Sequence, residues 1–197
     1  SVSAFLLNRS SESSDVGYNS NLHTKSPRPT RLNIASALEA KLKEMKADGS
    51  ALDVITFSGN GEPTGHTDFL GIVEDTIRLR NEFYPNAKVS VLTNSTLALR
   101  PDVHRALMLV DNNIMKLDTV DPIYINNVDR PVSPAYDVER IIKEMQSFNG
   151  HVIIQTIFMN GTDDLGRDVS NTSDRFVEPW LAAVRQIRPS EVMIYTI

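Results

Sequence analysis

The chain has 197 residues, of which 41% are hydrophobic and 23% charged, a balance typical of a soluble protein with one domain and a sizeable core. Its formal net charge of -5 argues against nucleic acid as the main partner. No apolar run approaches the roughly 18 to 20 residues of a membrane helix, and no signal-peptide pattern is evident, so we expect no membrane partner and a cytoplasmic location. The absence of cysteine excludes disulfides, thiolate-bound zinc and a cysteine nucleophile within the chain.

The first half of the chain alternates predicted strands and helices. A candidate first strand at residues 2–7 precedes a polar stretch at 9–29 that is rich in Ser, Asn, Asp, Lys and Pro, which we expect to be a flexible connection. The elements predicted after it are a helix at 33–46 closed by Gly49, a strand at 54–57, a helix at 69–84, a strand at 89–92, a short helix beginning at Pro101 and a strand at 113–117.

The second half repeats this alternation. The predicted elements are a helix at 137–148, a strand at 152–158, a polar loop at 160–171, a helix at 173–187 and a strand at 192–197. Crossovers of this length predict a parallel sheet with helices on its outside. Periodicity leaves both a partial barrel and an open doubly wound sheet as interpretations. The chain stops on an apolar strand with no closing helix, which indicates truncation at the C-terminus.

The most informative segment follows the predicted strand at 54–57 and reads Ser58-Gly59-Asn60-Gly61-Glu62-Pro63. Its two glycines allow a sharp turn and a close approach to a ligand, and the proline stiffens the exit. In parallel α/β proteins, ligands bind at the carboxyl ends of the strands. A capped turn explains part of the pattern, but two glycines followed by an acid and a proline exceed what a turn requires. We therefore predict a ligand loop in which Glu62 receives an ammonium group.

Polar side chains also mark the other predicted strands. They are Asn94 and Ser95 after one strand, Lys116 and Asp118 at the end of the next, Gln155 within the fifth and Tyr195 within the last. Because the ends of parallel strands face one side, we expect them to line one pocket suited to a zwitterionic, ribose-bearing small molecule. The alternative for Asn94, Ser95 and Asp118 is that they cap helices and satisfy loop backbone.

His66 lies just after the glycine-rich loop and is a candidate metal ligand or base. A lone histidine near a helix start is more often structural, and no second His or Asp lies at metal-ligand spacing. We therefore predict no metal site.

The loop Gly59-Asn60-Gly61-Glu62-Pro63 after an apolar strand resembles the glycine-glycine-glutamate-proline motif of the radical S-adenosylmethionine (SAM) superfamily. Other segments are similar to its activating-enzyme-like or uncharacterised bacterial branch. They are residues 92–96, 111–118, 128–131, 152–156 and 192–197. The resemblance as a whole extends from about residue 25 to residue 197. The resemblance implies a single domain with a partial (β/α)6 TIM-like barrel of parallel strands.

The resemblance also implies SAM as the cofactor. Carried over by position, the loop at 59–63 would hold the methionine amino group of SAM. Asn94, Ser95 and Asp118 would lie near its ribose or carboxylate, Ile194 and Tyr195 near its adenine, and Arg130 is a second candidate for the carboxylate. Ser58 and Gln155 complete the expected cofactor-binding set. A small-molecule ligand is thus expected, and a protein substrate is left open.

The partner motif of the family, a CxxxCxxC loop after the first strand, has no counterpart here. The corresponding stretch at 9–16 contains no thiol, and serine hydroxyls are poor ligands for iron that thiolates normally hold. A [4Fe–4S] cluster is therefore not expected in this chain, and without its electron SAM is not cleaved to a 5′-deoxyadenosyl radical. Catalytic residues are not assigned.

The sequence is compatible with three functions. The first is an altered, cluster-free version of a radical SAM enzyme core that still binds SAM but is inactive. The second is a natural degenerate domain that binds SAM or a partner without catalysis. The third is unrelated barrel chemistry, such as metal-assisted hydrolysis or an aldolase-like reaction that uses Glu62, His66 and Asp118.

Overall fold

The computed structural model of the chain describes residues 3–5, 29–58, 61–129, 131 and 136–197. These residues group into two compact units, one of 1–93 with 97–113 and one of 94–96 with 114–197. Over the described part of the chain, every helix is too short or too polar to cross a membrane. The expectation of one domain over 1–197 stays a prediction, and the expected flexible stretch at 9–29 lies outside the described residues except for Pro29.

Parallel strands form the sheet of the first unit, and helices connect them. The elements are β1 (Ser3–Phe5), α1 (Arg31–Ala47), β2 (Val54–Phe57), a 3-10 turn (Pro63–Gly65), α2 (Phe69–Phe83), β3 (Lys88–Thr93) and α3 (Pro101–Leu109). β1 pairs with β2 and β2 with β3, both in parallel, with Ile55 beside Val89 and Phe57 beside Val91. The side chains of these four residues are buried and lie on one face of the sheet, because alternate residues of a strand point to the same side.

Helix α1 begins and ends at residues suited to those positions. The Thr30 side chain accepts a hydrogen bond from the backbone N–H of Asn33 (3.2 Å), which satisfies one of the free donors at the helix start. Gly49 follows the helix with φ of 76°, a conformation that glycine adopts without penalty. The apolar face of α1 packs into a core cluster of Leu38, Leu42, Met45, Leu52, Ile55, Leu79 and Ala87, each larger side chain contributing about 1.5–3 kcal/mol through burial.

An ion pair joins α1 to α2. Arg31 donates from Nε to Asp75 Oδ2 (2.6 Å) and from Nη2 to Asp75 Oδ1 (3.2 Å). This two-point contact holds the pKa of Asp75 below its usual value, chiefly through the hydrogen bond from Arg31. The pair therefore fixes the start of α1 against the middle of α2.

The second unit repeats the strand and helix order. Strand β4 spans Asn112–Lys116, and its residues from Ile114 onward belong to this unit. The elements that follow are a short helix α4 (Pro122–Tyr124), a π-helical turn (Ile125–Asp129), α5 (Val138–Ser147), β5 (Ile153–Phe158), α6 (Asp174–Ile187) and β6 (Glu191–Thr196). β4 pairs with β5 and β5 with β6, again in parallel. Trp180 on α6 is buried, donates from Nε1 to the carbonyl of Leu117 (2.8 Å) and packs edge-on against Phe158.

The strands and helices predicted from periodicity are confirmed, with bounds that differ by about two residues at most where the structure describes them. The predicted parallel pairing is confirmed within each unit. The sequence did not predict the short helix at Pro122–Tyr124 or the π-helical turn after it. Neither is long enough to produce an apolar period that stands out from its surroundings.

Candidate functional site

The predicted ligand loop follows β2 in the first unit. Ser58 is the half-buried residue directly after the strand, and Gly59 and Asn60 lie outside the described residues. Gly61 has φ of 134°, a backbone conformation that a residue with a Cβ rarely adopts. Pro63 opens the 3-10 turn and is buried. The second glycine and the proline thus form a turn as predicted, and the contact with a ligand stays a prediction.

Glu62 is a buried residue of this loop that accepts several hydrogen bonds. It is only 3% exposed. Its Oε1 accepts hydrogen bonds from the backbone N–H of Thr64 (3.1 Å), from Thr64 Oγ1 (2.6 Å) and from Thr93 Oγ1 (2.6 Å). Thr93 is the last residue of β3, so the carboxylate joins the loop after β2 to the end of the neighbouring strand. A buried carboxylate needs such donors because its desolvation is otherwise costly.

His66 has a structural role. The backbone N–H of Asp68 donates to its Nδ1 (3.0 Å), so Nδ1 is an acceptor. Nε2 then holds the ring proton and donates to the carbonyl of Pro29 (3.0 Å). The ring is 5% exposed and ties the segment before α1 to the loop after β2. With both nitrogens bonded to backbone groups, His66 would have to rearrange to bind a metal or act as a base.

Asn94 and Ser95 form a turn in the second unit. Asn94 Oδ1 accepts hydrogen bonds from the N–H of Thr96 (3.1 Å) and from Thr96 Oγ1 (2.7 Å), which is the turn-capping role held open as the alternative. Ser95 is fully buried with φ of 69°, and its Oγ donates to the carbonyl of Lys116 (3.3 Å). Positive φ at a buried non-glycine residue is strained, and such strain concentrates at functional sites.

Asp118 and Lys116 lie together at the end of β4. Lys116 Nζ is 3.3 Å from Asp118 Oδ2, and Asp118 Oδ1 accepts from the backbone N–H of Ile157 (2.9 Å). The Asp118 side chain is 14% exposed. Its carboxylate therefore connects the end of β4 to β5 by accepting from a backbone N–H. This is the alternative role of satisfying backbone groups that the sequence left open for Asp118. Gln155 is the neighbour of Lys116 in the parallel register of β4 and β5.

The residues expected near adenine lie on β6. Ile194 and Tyr195 pair in register with Thr156 and Ile157 of β5 and are 54% and 47% exposed. Both side chains are therefore about half accessible to solvent. Arg130, the second candidate for the SAM carboxylate, lies outside the described residues.

A cavity of about 1030 Å³ opens in the second unit at another place. It lies between α5, α6 and the segment after β4, and its lining includes Val120, Tyr136, Ile142 and Ala183. Burial raises the pKa of the Tyr136 hydroxyl above its usual value, so the group stays neutral near pH 7. None of the predicted site residues lines this cavity. It does not mark the predicted ligand site.

Thr64 and Thr93 are site residues that sequence reasoning missed. Thr64 lies in the 3-10 turn and Thr93 ends β3, and threonine is common in turns and in strands, so neither hydroxyl carries a signal alone. The only usable hint is the position of Thr93 directly before Asn94 and Ser95. Within the part of the chain that the structure describes, no group of three or more acidic or histidine side chains could hold a metal ion.

No protein-family profile matches the chain, but individual proteins do. A UPF0026 protein of Synechocystis is 30% identical over 147 residues, which cover 73% of this chain and 49% of that protein. A UPF0026 protein of Helicobacter pylori is 27% identical over 127 residues, covering 62% of this chain and 39% of that protein. The chain thus spans half or less of the length of these relatives.

Solved structures match over most of the chain. SuiB of Streptococcus suis bound to the precursor peptide SuiA has a TM-score of 0.60 and 16% identity, covering 94% of this chain and 36% of SuiB. SuiB bound to S-adenosylmethionine has a TM-score of 0.57 and 15% identity, with 87% and 35% covered. HemN of Escherichia coli, a coproporphyrinogen III oxidase described as a radical SAM enzyme, has a TM-score of 0.55 and 14% identity, with 84% and 37% covered.

At these identities the likeness shows the fold. The chain is an α/β protein with the parallel strands that periodicity predicted and the partial (β/α)6 TIM-like barrel architecture that the resemblance implied. The resemblance to the radical SAM superfamily is therefore confirmed at the level of the fold.

Proposed function

We propose that this chain, which has the fold of radical SAM enzymes, binds S-adenosylmethionine and holds its methionine ammonium group at Glu62. The observation that carries the proposal is the carboxylate of Glu62, 3% exposed and fixed on Oε1 by two hydroxyls and one backbone N–H. A buried carboxylate favours a cationic partner strongly because the surrounding dielectric is low. The glycine conformation at Gly61 supports a close approach of the ligand to the loop backbone.

The remaining groups of SAM are assigned by the chemistry of single residues and by the family resemblance. Asp118 accepts hydrogen bonds from the ribose hydroxyls of SAM, and Asn94 and Ser95 bind its ribose or its carboxylate. Ile194 and Tyr195 offer half-exposed apolar surface to the adenine ring. The other residues that we assign to SAM binding are Ser58, Gly59, Asn60, Pro63, Arg130 and Gln155. The buried, positive-φ conformation of Ser95 supports a functional role for its turn.

The residues of this chain fit SAM but not an iron–sulfur cluster. Clusters of this class are held by thiolates, and the chain contains no cysteine. SAM supplies an activated sulfonium when it is bound, and the residues proposed here bind and orient it without a route to its reductive cleavage. The function proposed for this chain therefore ends at binding. The peptide-bound structure of SuiB makes a peptide the second partner to test.

The hydrolase or aldolase alternative receives less support. It requires His66 as a ligand or base, and both ring nitrogens of His66 bond to backbone groups.

Isothermal titration calorimetry with SAM tests the proposal. We expect saturable binding by the unmodified chain and a loss of about 10- to 100-fold in affinity for Glu62→Gln, because a hydrogen bond to a charged group contributes about 1.5–3 kcal/mol. Glutamine keeps the shape and the Oε1 acceptor of the side chain but removes the charge.

The matched control is Glu74→Gln, an exposed acid on α2 of the same unit, which should bind SAM as the unmodified chain does. No measurable binding at millimolar SAM, or equal affinity for Glu62→Gln and the unmodified chain, would contradict the proposal.

A further inference from the structure

We propose that the cavity between α5 and α6 is an interface at which a second copy of this chain binds, in a pair with two-fold symmetry. The cavity has a volume of about 1030 Å³, and none of the residues assigned to SAM lines it. Its floor is apolar, because Ile125, Ile142 and Ala183 line it and are buried. We call this cavity the α5–α6 groove.

The α5–α6 groove runs along two helices. The residues that line it on α6 include Pro179, Ala183 and Gln186, and on α5 they include Val138 and Ile142. Spacings of three and four residues place these side chains on one face of each helix. The groove follows α6 for about two turns, or roughly 10 Å at 1.5 Å per residue. Its volume is at the upper limit of the roughly 300–1,000 Å³ of small-molecule sites, which favours a protein surface as the occupant.

An apolar side chain projects at the rim of the groove. Ile123 is 62% exposed and follows Pro122, which lines the groove. The next residue, Tyr124, is buried, donates from its hydroxyl to the carbonyl of Val169 (2.7 Å) and packs edge-on against Phe176. Because Tyr124 anchors α4, Ile123 is held in solvent beside an apolar groove. Burial against another protein surface would stabilise this arrangement.

A groove with a projecting side chain at its rim is complementary to a second copy of itself. In a two-fold pair both copies use the same patch of surface, so each contact occurs twice. Ile123 of each copy then inserts into the groove of the other. An aliphatic anchor in a pocket at the centre of an interface carries a large share of the binding free energy.

The charges at the groove favour the same occupant. Glu139 and Lys143 both line it, are exposed and lie four positions apart on α5. Over the described part of the chain, neither side chain belongs to an ion pair. When two copies of α5 pack antiparallel about an axis level with Ile141, Glu139 of each copy lies opposite Lys143 of the other. The groove therefore has the charge pattern of an interface with itself.

Sedimentation velocity tests this inference over a series of chain concentrations from about 1 μM to about 1 mM. We expect a monomer–dimer equilibrium for the unmodified chain. Ile123→Ser should weaken the dimer at least about 10-fold, because an apolar anchor is lost from each copy. Glu139→Lys and Lys143→Glu should each have a similar effect, because each places like charges opposite one another. The matched control is Arg140→Glu, an exposed residue of α5 that does not line the groove, and it should dimerise as the unmodified chain does.

Exchange of the two charges makes the test specific for a second copy. The double variant, Glu139→Lys with Lys143→Glu, should dimerise within about threefold of the unmodified chain. An equimolar mixture of the two single variants should form a heterodimer, because opposite charges again face one another. All variants should keep the circular dichroism spectrum of the unmodified chain.

A chain that stays monomeric over the whole series overturns the inference, as does a dimer that none of these substitutions weakens. A monomer that binds SAM contradicts this inference alone, so it is tested separately from the proposed function.

Discussion

At the residue scale, Glu62 and His66 lie four positions apart and differ in the chemistry of their side chains. Both ring nitrogens of His66 bond to backbone groups. Glu62 accepts hydrogen bonds on Oε1 from two hydroxyls and one backbone N–H, and it is the acidic residue of the loop. The chemistry of the loop therefore centres on the acid, and the histidine holds the loop in place.

Replacing His66 checks this distinction. We expect His66→Ala to lower the free energy of unfolding by about 1–3 kcal/mol, because two buried hydrogen bonds are lost, while SAM affinity stays within about threefold. Urea denaturation measures the first quantity and calorimetry the second, with the exposed neighbour Thr67→Ala as the control. Binding of a divalent metal that disappears in His66→Ala would instead favour the hydrolase alternative.

At the element scale, α1 and α2 are held by a buried apolar cluster and by the ion pair of Arg31 with Asp75, beside a longer contact of Arg31 with Asp68 (3.7 Å). The partners differ in exposure, with side chains that are 40% exposed for Arg31 and 22% for Asp75. The pair is therefore partly screened by water, and its role is to fix the start of α1 more than to supply stability.

The ion pair predicts a pH dependence of stability. The Arg31 hydrogen bond lowers the pKa of Asp75 in the folded state below the usual 3.8, so the pair stabilises the fold above the usual pKa. This stabilisation is lost as pH falls through the lowered value. The unmodified chain should exceed Asp75→Asn in unfolding free energy at pH 7, and the difference should shrink toward pH 3. Asp164→Asn, an exposed loop variant, is the control. A difference that does not change with pH would contradict this account.

The positions of helices and strands were predictable where apolar residues recur at helical or strand spacing over the whole element. In α5, Ile141 and Met145 recur at helical spacing, and in β5, Ile154 lies within an apolar run; all three side chains are buried. The partner of Glu62 was not predictable, since Thr93 is 31 positions away and only the pairing of β2 with β3 brings it near. The capping roles of Asn94 and Asp118 were foreseen only as alternatives, because their residue types serve turns and ligands equally well.

At the scale of the whole molecule, the chain has the fold of radical SAM enzymes but lacks the cysteines that hold an iron–sulfur cluster. The match to SuiB and HemN covers 84–94% of the chain, while the sequence contains no thiolate with which to hold a cluster. Fold likeness alone does not carry an activity to a new chain. The Glu62 loop is therefore the feature on which the proposed function depends.

The location of SAM on the chain is the most direct test of the central claim. In a ¹H–¹⁵N NMR titration, we expect saturable shift changes that are largest at the amides of residues 61–64 and Thr93, and that disappear in Glu62→Gln. The amide of Thr64 should respond most clearly because it donates to the Glu62 carboxylate. Absence of saturable shifts, or shifts of equal size in Glu62→Gln, would contradict the assignment of SAM to this loop.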